Sequence, residues 1–137
     1  MGEKRKSNWV APEFDKIGMT QWGWRVSHRE NFKLGENVEI GSFTMVDARN
    51  GVKIEDDVMI GFGCVILSYS AIDNKSGQVV LRKGCKIGSN SVIMPGVEIG
   101  ERAVIGGNSF VNRNIPPDEV WIGSPAKFYK KVEIPHA

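Results

Sequence analysis

The side chains able to move a proton or act as a nucleophile are few in this 137-residue chain. Its two histidines are His28 and His136, and its two cysteines are Cys64 and Cys85. An imidazole changes charge near neutral pH and suits proton transfer. The stretch Ser68-Tyr69-Ser70-Ala71-Ile72-Asp73-Asn74-Lys75 gathers three hydroxyls, a carboxylate and an amide. Asp73 would serve as a general base if burial raised its pKa. Its plainer role is that of a turn residue, because Asp and Asn favour turns. Asp47 and Arg49, some twenty residues upstream, would either form a solvated ion pair or face whatever that stretch binds.

What positions these groups is a repeat. Leu34, Ile40, Val46, Ile54, Ile60, Ile66, Leu81, Ile87, Ile93, Ile99, Ile105 and Val111 recur in steps of six, interrupted twice. Gly follows at 35, 41, 61, 88, 100 and 106. Small or β-branched residues stand four places after most of these aliphatics, Cys64, Cys85, Ser91 and Ser109 among them. A period of six matches neither a strand nor an amphipathic helix. It fits a triangular coil of three hexads, each giving one short strand and one corner. The predicted fold is therefore all-β, a parallel β-helix whose stacked coils share one aliphatic core. Cys64 and Cys85 read as buried packing residues in it.

The register breaks locate the chemistry. Leu34 to Ile54 is twenty residues, a two-residue excess around Arg49-Asn50-Gly51. Ile54 to Leu81 is twenty-seven, so a nine-residue insertion falls within about 70–80. Insertions leave a solenoid as loops, which often form its binding face. Stacking places Val46, Ile66, Ile93 and Val111 on one ladder and sets Asp47 and Arg49 beneath Leu67 to Ser70. An eighteen-residue step down from Val46 reaches His28. That puts His28 two coils below the loop, about 9–10 Å away, where it would either reach the site by an unusual path or cap the rod.

The remaining bounds are simple. Length predicts one domain over 1–137: an aromatic-rich cap at 9–27, coils over 28–122 with the inserted loop, and a tail at 123–137. Trp9, Phe14, Met19, Trp22 and Trp24 supply apolar groups for that cap, which an open solenoid end requires. Glu3-Lys4-Arg5-Lys6 reads as a polar tail, and Phe128-Tyr129-Lys130-Lys131 as a segment that leaves the rod and would cover the last coil. A formal charge of +2 gives no strong field for nucleic acid. No apolar run is long enough to span a membrane and no secretory signal is visible, so a cytoplasmic protein is expected.

The segments IEDDVMIGFGCVIL, CKIGSNSVIMPGVEIGERAVIGGNSFVNRNIPP and VWIGSPAKFYKK closely resemble the hexapeptide-repeat acyltransferases of the left-handed parallel β-helix type. The maltose/galactoside acetyltransferases and the sugar-nucleotide and polysaccharide O- or N-acetyltransferases are the branches most similar. The resemblance covers roughly residues 34–131, and its Gly-Ser-Pro-Ala-Lys ending is the part most specific to transferases. It implies a homotrimer with active sites between neighbouring rods, and acetyl-CoA or another acyl-CoA as co-substrate, without a metal. Ser89, Asn90, Gly107 and Ser109 would line the pantetheine groove. Lys127, with Arg113 nearby, would meet the nucleotide phosphates, offsetting their charge.

The resemblance also implies a general-base histidine near the start of the inserted loop, and here the chain departs from it. Tyr69 or Ala71 stands at the aligned place. Three alternatives follow: His28 supplies the base, Asp73 does, or none is needed because the acceptor is an amine. The third tilts the expectation toward an amino sugar or sugar nucleotide used in cell-surface polysaccharide synthesis. Asp47 would then hold a sugar hydroxyl or amine, and Arg49 a phosphate or carboxylate. Ser68, Tyr69, Ser70 and Asn74 would surround the acceptor. An O-acetyltransferase with a relocated histidine and a non-catalytic trimeric scaffold are the rival readings. The γ-class carbonic anhydrases share the fold but need three zinc-binding histidines.

Overall fold

The computed structural model describes residues 8–133; His136 and the 3–6 tail lie outside them. Three parallel faces wind about one axis. The first stacks Arg25–Ser27, Met45–Asp47, Val65–Leu67, Val92–Ile93 and Phe110–Val111. The second stacks Phe32–Leu34, Val52–Ile54, Val79–Leu81 and Glu98–Ile99. The third stacks Glu39–Ile40, Met59–Ile60, Lys86–Ile87, Val104–Ile105 and Glu119–Gly123, and Ala126–Lys131 folds back antiparallel on the last of these. The described residues hold no α-helix, and one 3-10 turn spans Arg29–Asn31. No helix of theirs is long and apolar enough to cross a membrane.

The hexad reading of the core holds. Ten of the twelve aliphatics are buried, and Leu34 and Ile40, on the lowest coil, are half-buried. Cys64 and Cys85 are buried and unbridged. Burial pushes the Cys85 thiol up to about 12, with the Glu55 charge adding to it, and burial likewise raises Cys64. Glycines keep the corners thin: a Cβ on Gly88 would stand 2.4 Å from the Gly107 nitrogen on the next coil.

Two boundaries differ from expectation. Val26, not residue 28, lies one step below Val46. The lowest coil carries the same two-residue excess as the next, so both run twenty residues, and the 3-10 turn at 29–31 absorbs the surplus. The first rung thus begins at Arg25, inside the segment expected to be cap. The cap proper packs Phe14 edge-on to Trp24, with Phe32 completing the cluster. At the other end the tail covers the last coil as expected, by pairing instead of departing: Ala126–Lys131 extends the third face, and Phe128 packs edge-on to Trp121.

Candidate functional site

The insertion folds as an antiparallel hairpin. Tyr69–Ser70 pairs with Lys75–Ser76, and Asn74 takes a left-handed φ of 52° at the turn. Ile72 at the tip is fully exposed. The hairpin rises from the corner after the first face, where the lowest coil presents 27–31 and the coil above it presents 47–51.

Asp47 organises that corner. Its Oδ1 accepts from the Arg49 backbone N–H at 3.0 Å and from Ser27 Oγ at 3.4 Å. The same oxygen lies 3.9 Å from His28 Nδ1. His28 itself has a left-handed backbone, φ 57°, at the start of the 3-10 turn. The carboxylate faces Nδ1 and leaves Nε2 on the far side of a ring about half exposed. Ser27 Oγ stands 3.4 Å from the same Nδ1 and itself donates to Asp47, so hydroxyl and carboxylate both face one nitrogen of an imidazole whose other nitrogen could take a proton. The Arg49 guanidinium stacks on Tyr69, 4.3 Å from the ring centre. The structure therefore brings His28 to Asp47 and Arg49 to Tyr69 along one corner, with His28 two rungs below the hairpin.

Other candidates are placed differently. Ser68 is buried, its hydroxyl donating to the Asp47 carbonyl and accepting from the Asn50 N–H. It fastens the hairpin to the coil below and has nothing to offer an acceptor. Asp73 is exposed at the tip, 3.8 Å from Lys75. A hydrogen bond from Ser70, with Lys75 nearby, holds its carboxyl below the ordinary range. That is the reverse of the burial-raised pKa a base would need, and it commits Ser70 as well. Asn74 serves the turn.

The residues expected to hold a coenzyme are spread over three places: Ser89, Asn90, Gly107 and Ser109 at the corner after the third face, Arg113 just after the last first-face strand, and Lys127 on the final strand. Ser89 Oγ accepts from the Phe62 N–H; Asn90, left-handed at φ 61°, is exposed beside it. Gly107 is exposed one coil above, 3.4 Å from the Ser89 carbonyl measured from an added Cβ. Ser109 does not join them. It is buried, donating to the Gly106 carbonyl and accepting from the Gly123 N–H. Arg113 lies over Trp121 at 5.5 Å, and exposed Lys127 pairs with Ile122 across the final hairpin. Neither cation has an ion-pair partner among the described residues. Thin exposed backbone at Ser89, Asn90 and Gly107, with two cations on the uppermost coils free of ion pairs among the described residues, suits an extended chain ending in phosphates.

Sequence reasoning missed Ser27, which donates to Asp47, and the grouping of Asn31, Lys33, Asn50 and Gln78 with Arg49. The signal available was the Val26-Ser27-His28 run, which repeats Val46-Asp47-Ala48 at twenty residues.

Comparisons with known proteins agree with the fold. Residues 78–113 match the family described as bacterial transferase hexapeptide (six repeats), and 32–68 match the hexapeptide repeat of succinyl-transferase. Galactoside O-acetyltransferase of Escherichia coli K12 is 32% identical, over 95% of this chain and 70% of its own length. A serine acetyltransferase of Buchnera aphidicola is 30% identical over 73% of this chain, which spans only 38% of that enzyme. A hexapeptide-repeat acetyltransferase of Vibrio cholerae, solved with acetyl coenzyme A, superposes with a TM-score of 0.76 at 26% identity, covering 81% of this chain and 66% of that one.

Proposed function

The chain belongs to the hexapeptide-repeat acyltransferase family, and on that premise we propose that it acylates a sugar or sugar nucleotide from acetyl-CoA or another acyl-CoA, in cell-surface polysaccharide synthesis. The observation that carries the reading is the 3.9 Å approach of His28 Nδ1 to Asp47 at the corner below the hairpin. The named activity of the E. coli relative supports it.

Acyl-CoA, when bound, supplies an activated thioester carbonyl. Lys127 and Arg113 hold its phosphates, and Ser89, Asn90 and Gly107 lie along its thin arm. His28 Nε2 takes the proton of an acceptor hydroxyl as that oxygen attacks, and returns it to the departing thiolate. Asp47 keeps the ring oriented and stabilises the imidazolium. Tyr69 and Arg49 orient the acceptor. A base contributes roughly 10²–10⁴-fold, so a hydroxyl acceptor becomes workable without the family's loop histidine. The site is completed by a neighbouring copy in a homotrimer, for which sedimentation equilibrium should return three times the chain mass.

The amino-sugar reading rests on there being no base, and the exposed, ion-paired Asp73 supports it only if His28 is idle. His28→Ala decides between the two. Measured by thiol release from acetyl-CoA with hydroxyl and amine sugars, transfer should fall about 10²-fold or more with the trimer intact. A change of only a few-fold would remove His28 from the chemistry and return the amine acceptor.

A further inference from the structure

Beside the His28–Asp47 corner lies a second depression, of about 400 Å³, lined by Glu30, Asn31, Lys33, Arg49, Asn50, Gly51, Val52 and Gln78. It opens where the lowest coil and the one above turn from the first face to the second. Three amide side chains, a guanidinium and an ammonium contribute to its wall. Arg49 is fixed in place: its ring contact with Tyr69 sets the guanidinium, its N–H is held by Asp47, and its carbonyl accepts from Asn31 Nδ2 at 3.2 Å. Neither Arg49 nor Lys33 has a carboxylate within ion-pair distance among the described residues. Glu30 is the one carboxylate of the lining. Gly51, at φ 100°, leaves the space above it to the Gln78 side chain, whose Cγ is 3.4 Å from where a Cβ would be.

A fixed guanidinium, an exposed ammonium shared with the next depression along the rod, and amide donors, set against one lining carboxylate, are a receptor for an anion. A planar guanidinium reads phosphate or carboxylate through paired hydrogen bonds, and stacking on an aromatic ring pre-organises it at little entropic cost. Nearby neutral donors add directional bonds. The pocket shares Arg49 with the candidate catalytic corner, so a molecule spanning both would place its anion here and its reacting group at His28. We propose that this pocket binds the anionic group of the acceptor, and hence that the acceptor is an acidic sugar: a phosphate ester or a uronic acid, not a neutral saccharide. The proposal rests on the acyltransferase reading for its word acceptor, but the anion site stands on the pocket itself.

The test follows side-chain amide NMR signals of the full-length protein titrated with glucose 1-phosphate, glucuronate and glucose, without any acyl donor. Saturable shifts at Asn31, Asn50 and Gln78 with an anionic probe, absent with glucose, are expected. Arg49→Gln and Lys33→Gln should each weaken that binding about tenfold or more, Arg49→Lys should recover part of it, and Glu30→Gln should strengthen it. Whichever of the two acids binds more tightly names the source of the charge. No saturable shift with either acid, or affinity unchanged in Arg49→Gln, overturns the proposal. The two readings fail separately. Anion binding with no thiol release from any acceptor would sink the transferase reading alone. Transfer to neutral sugars that is indifferent to Arg49→Gln would sink the anion pocket alone.

Discussion

At the scale of single residues, the site is decided by which side chains are already committed. Ser68 and Ser109 have hydroxyls that look available in the sequence, yet each is spent fastening one coil to the next. Their loss should cost stability, not affinity. Lys127 is in the opposite position: exposed, cationic and without an ion-pair partner among the described residues. Lys127→Glu should weaken coenzyme A binding about tenfold or more, read by calorimetry on the otherwise unchanged protein. An unaltered affinity would move the phosphates elsewhere. A serine at the fifth place of a hexad is not visibly different from one at a corner, because period alone does not say where a hydroxyl's hydrogen bond goes.

At the scale of elements, the hairpin is separable from the rod. Its strands pair with each other, and it meets the solenoid through Ser68, the Arg49–Tyr69 contact and the Gly77 carbonyl, which accepts from the Gly96 N–H. Replacing 69–77 with a short corner should leave the melting temperature within a few degrees, since long surface insertions add little to stability. Acceptor-dependent turnover should vanish. A protein that fails to fold without the hairpin would contradict the separation. The existence and position of this element were legible from the twenty-seven-residue gap between Ile54 and Leu81. Its hairpin form was not, and neither was the reach of His28. An eighteen-residue step from Val46 lands on His28, but the lowest coil takes twenty, so Val26 holds the ladder position and His28 falls in the corner beyond it. The aliphatics announce themselves at every rung except the first, where Val26 is separated from Leu34 by a 3-10 turn that no period foretells. Aromatic cap residues carried no period at all, so their pairing of Phe14 with Trp24 and Phe32 had to come from the structure.

At the scale of the whole molecule, acid stability rests on charges that tie coil to coil. Glu55 has its carboxyl lowered: burial works to raise it, but hydrogen bonds from Arg82 and the Lys83 N–H, with nearby positive charge, outweigh that. Arg102 lowers Asp118, and Lys131, with Trp121, lowers Glu119. Carboxyls lowered on folding stabilise the folded state above their unfolded values, ordinarily 4.5 for Glu and 3.8 for Asp. The benefit is lost as pH falls through the lowered folded values. Melting temperature should therefore hold between pH 7 and about 5, then drop below about pH 4. A steep loss already at pH 6 would point to other groups.

The returning strand Ala126–Lys131 has one more consequence. A stack of parallel rungs is a template at both ends, inviting a second rod to continue it into a fibre. Here the final rung is covered by a strand running the other way, which carries Lys127, Lys130 and Lys131 outward. A chain cut after Gly123 would expose Glu119–Gly123 as a bare parallel edge above Trp121. Such rods would be expected to string end to end, seen as light scattering that grows with concentration, whereas the full chain stays discrete.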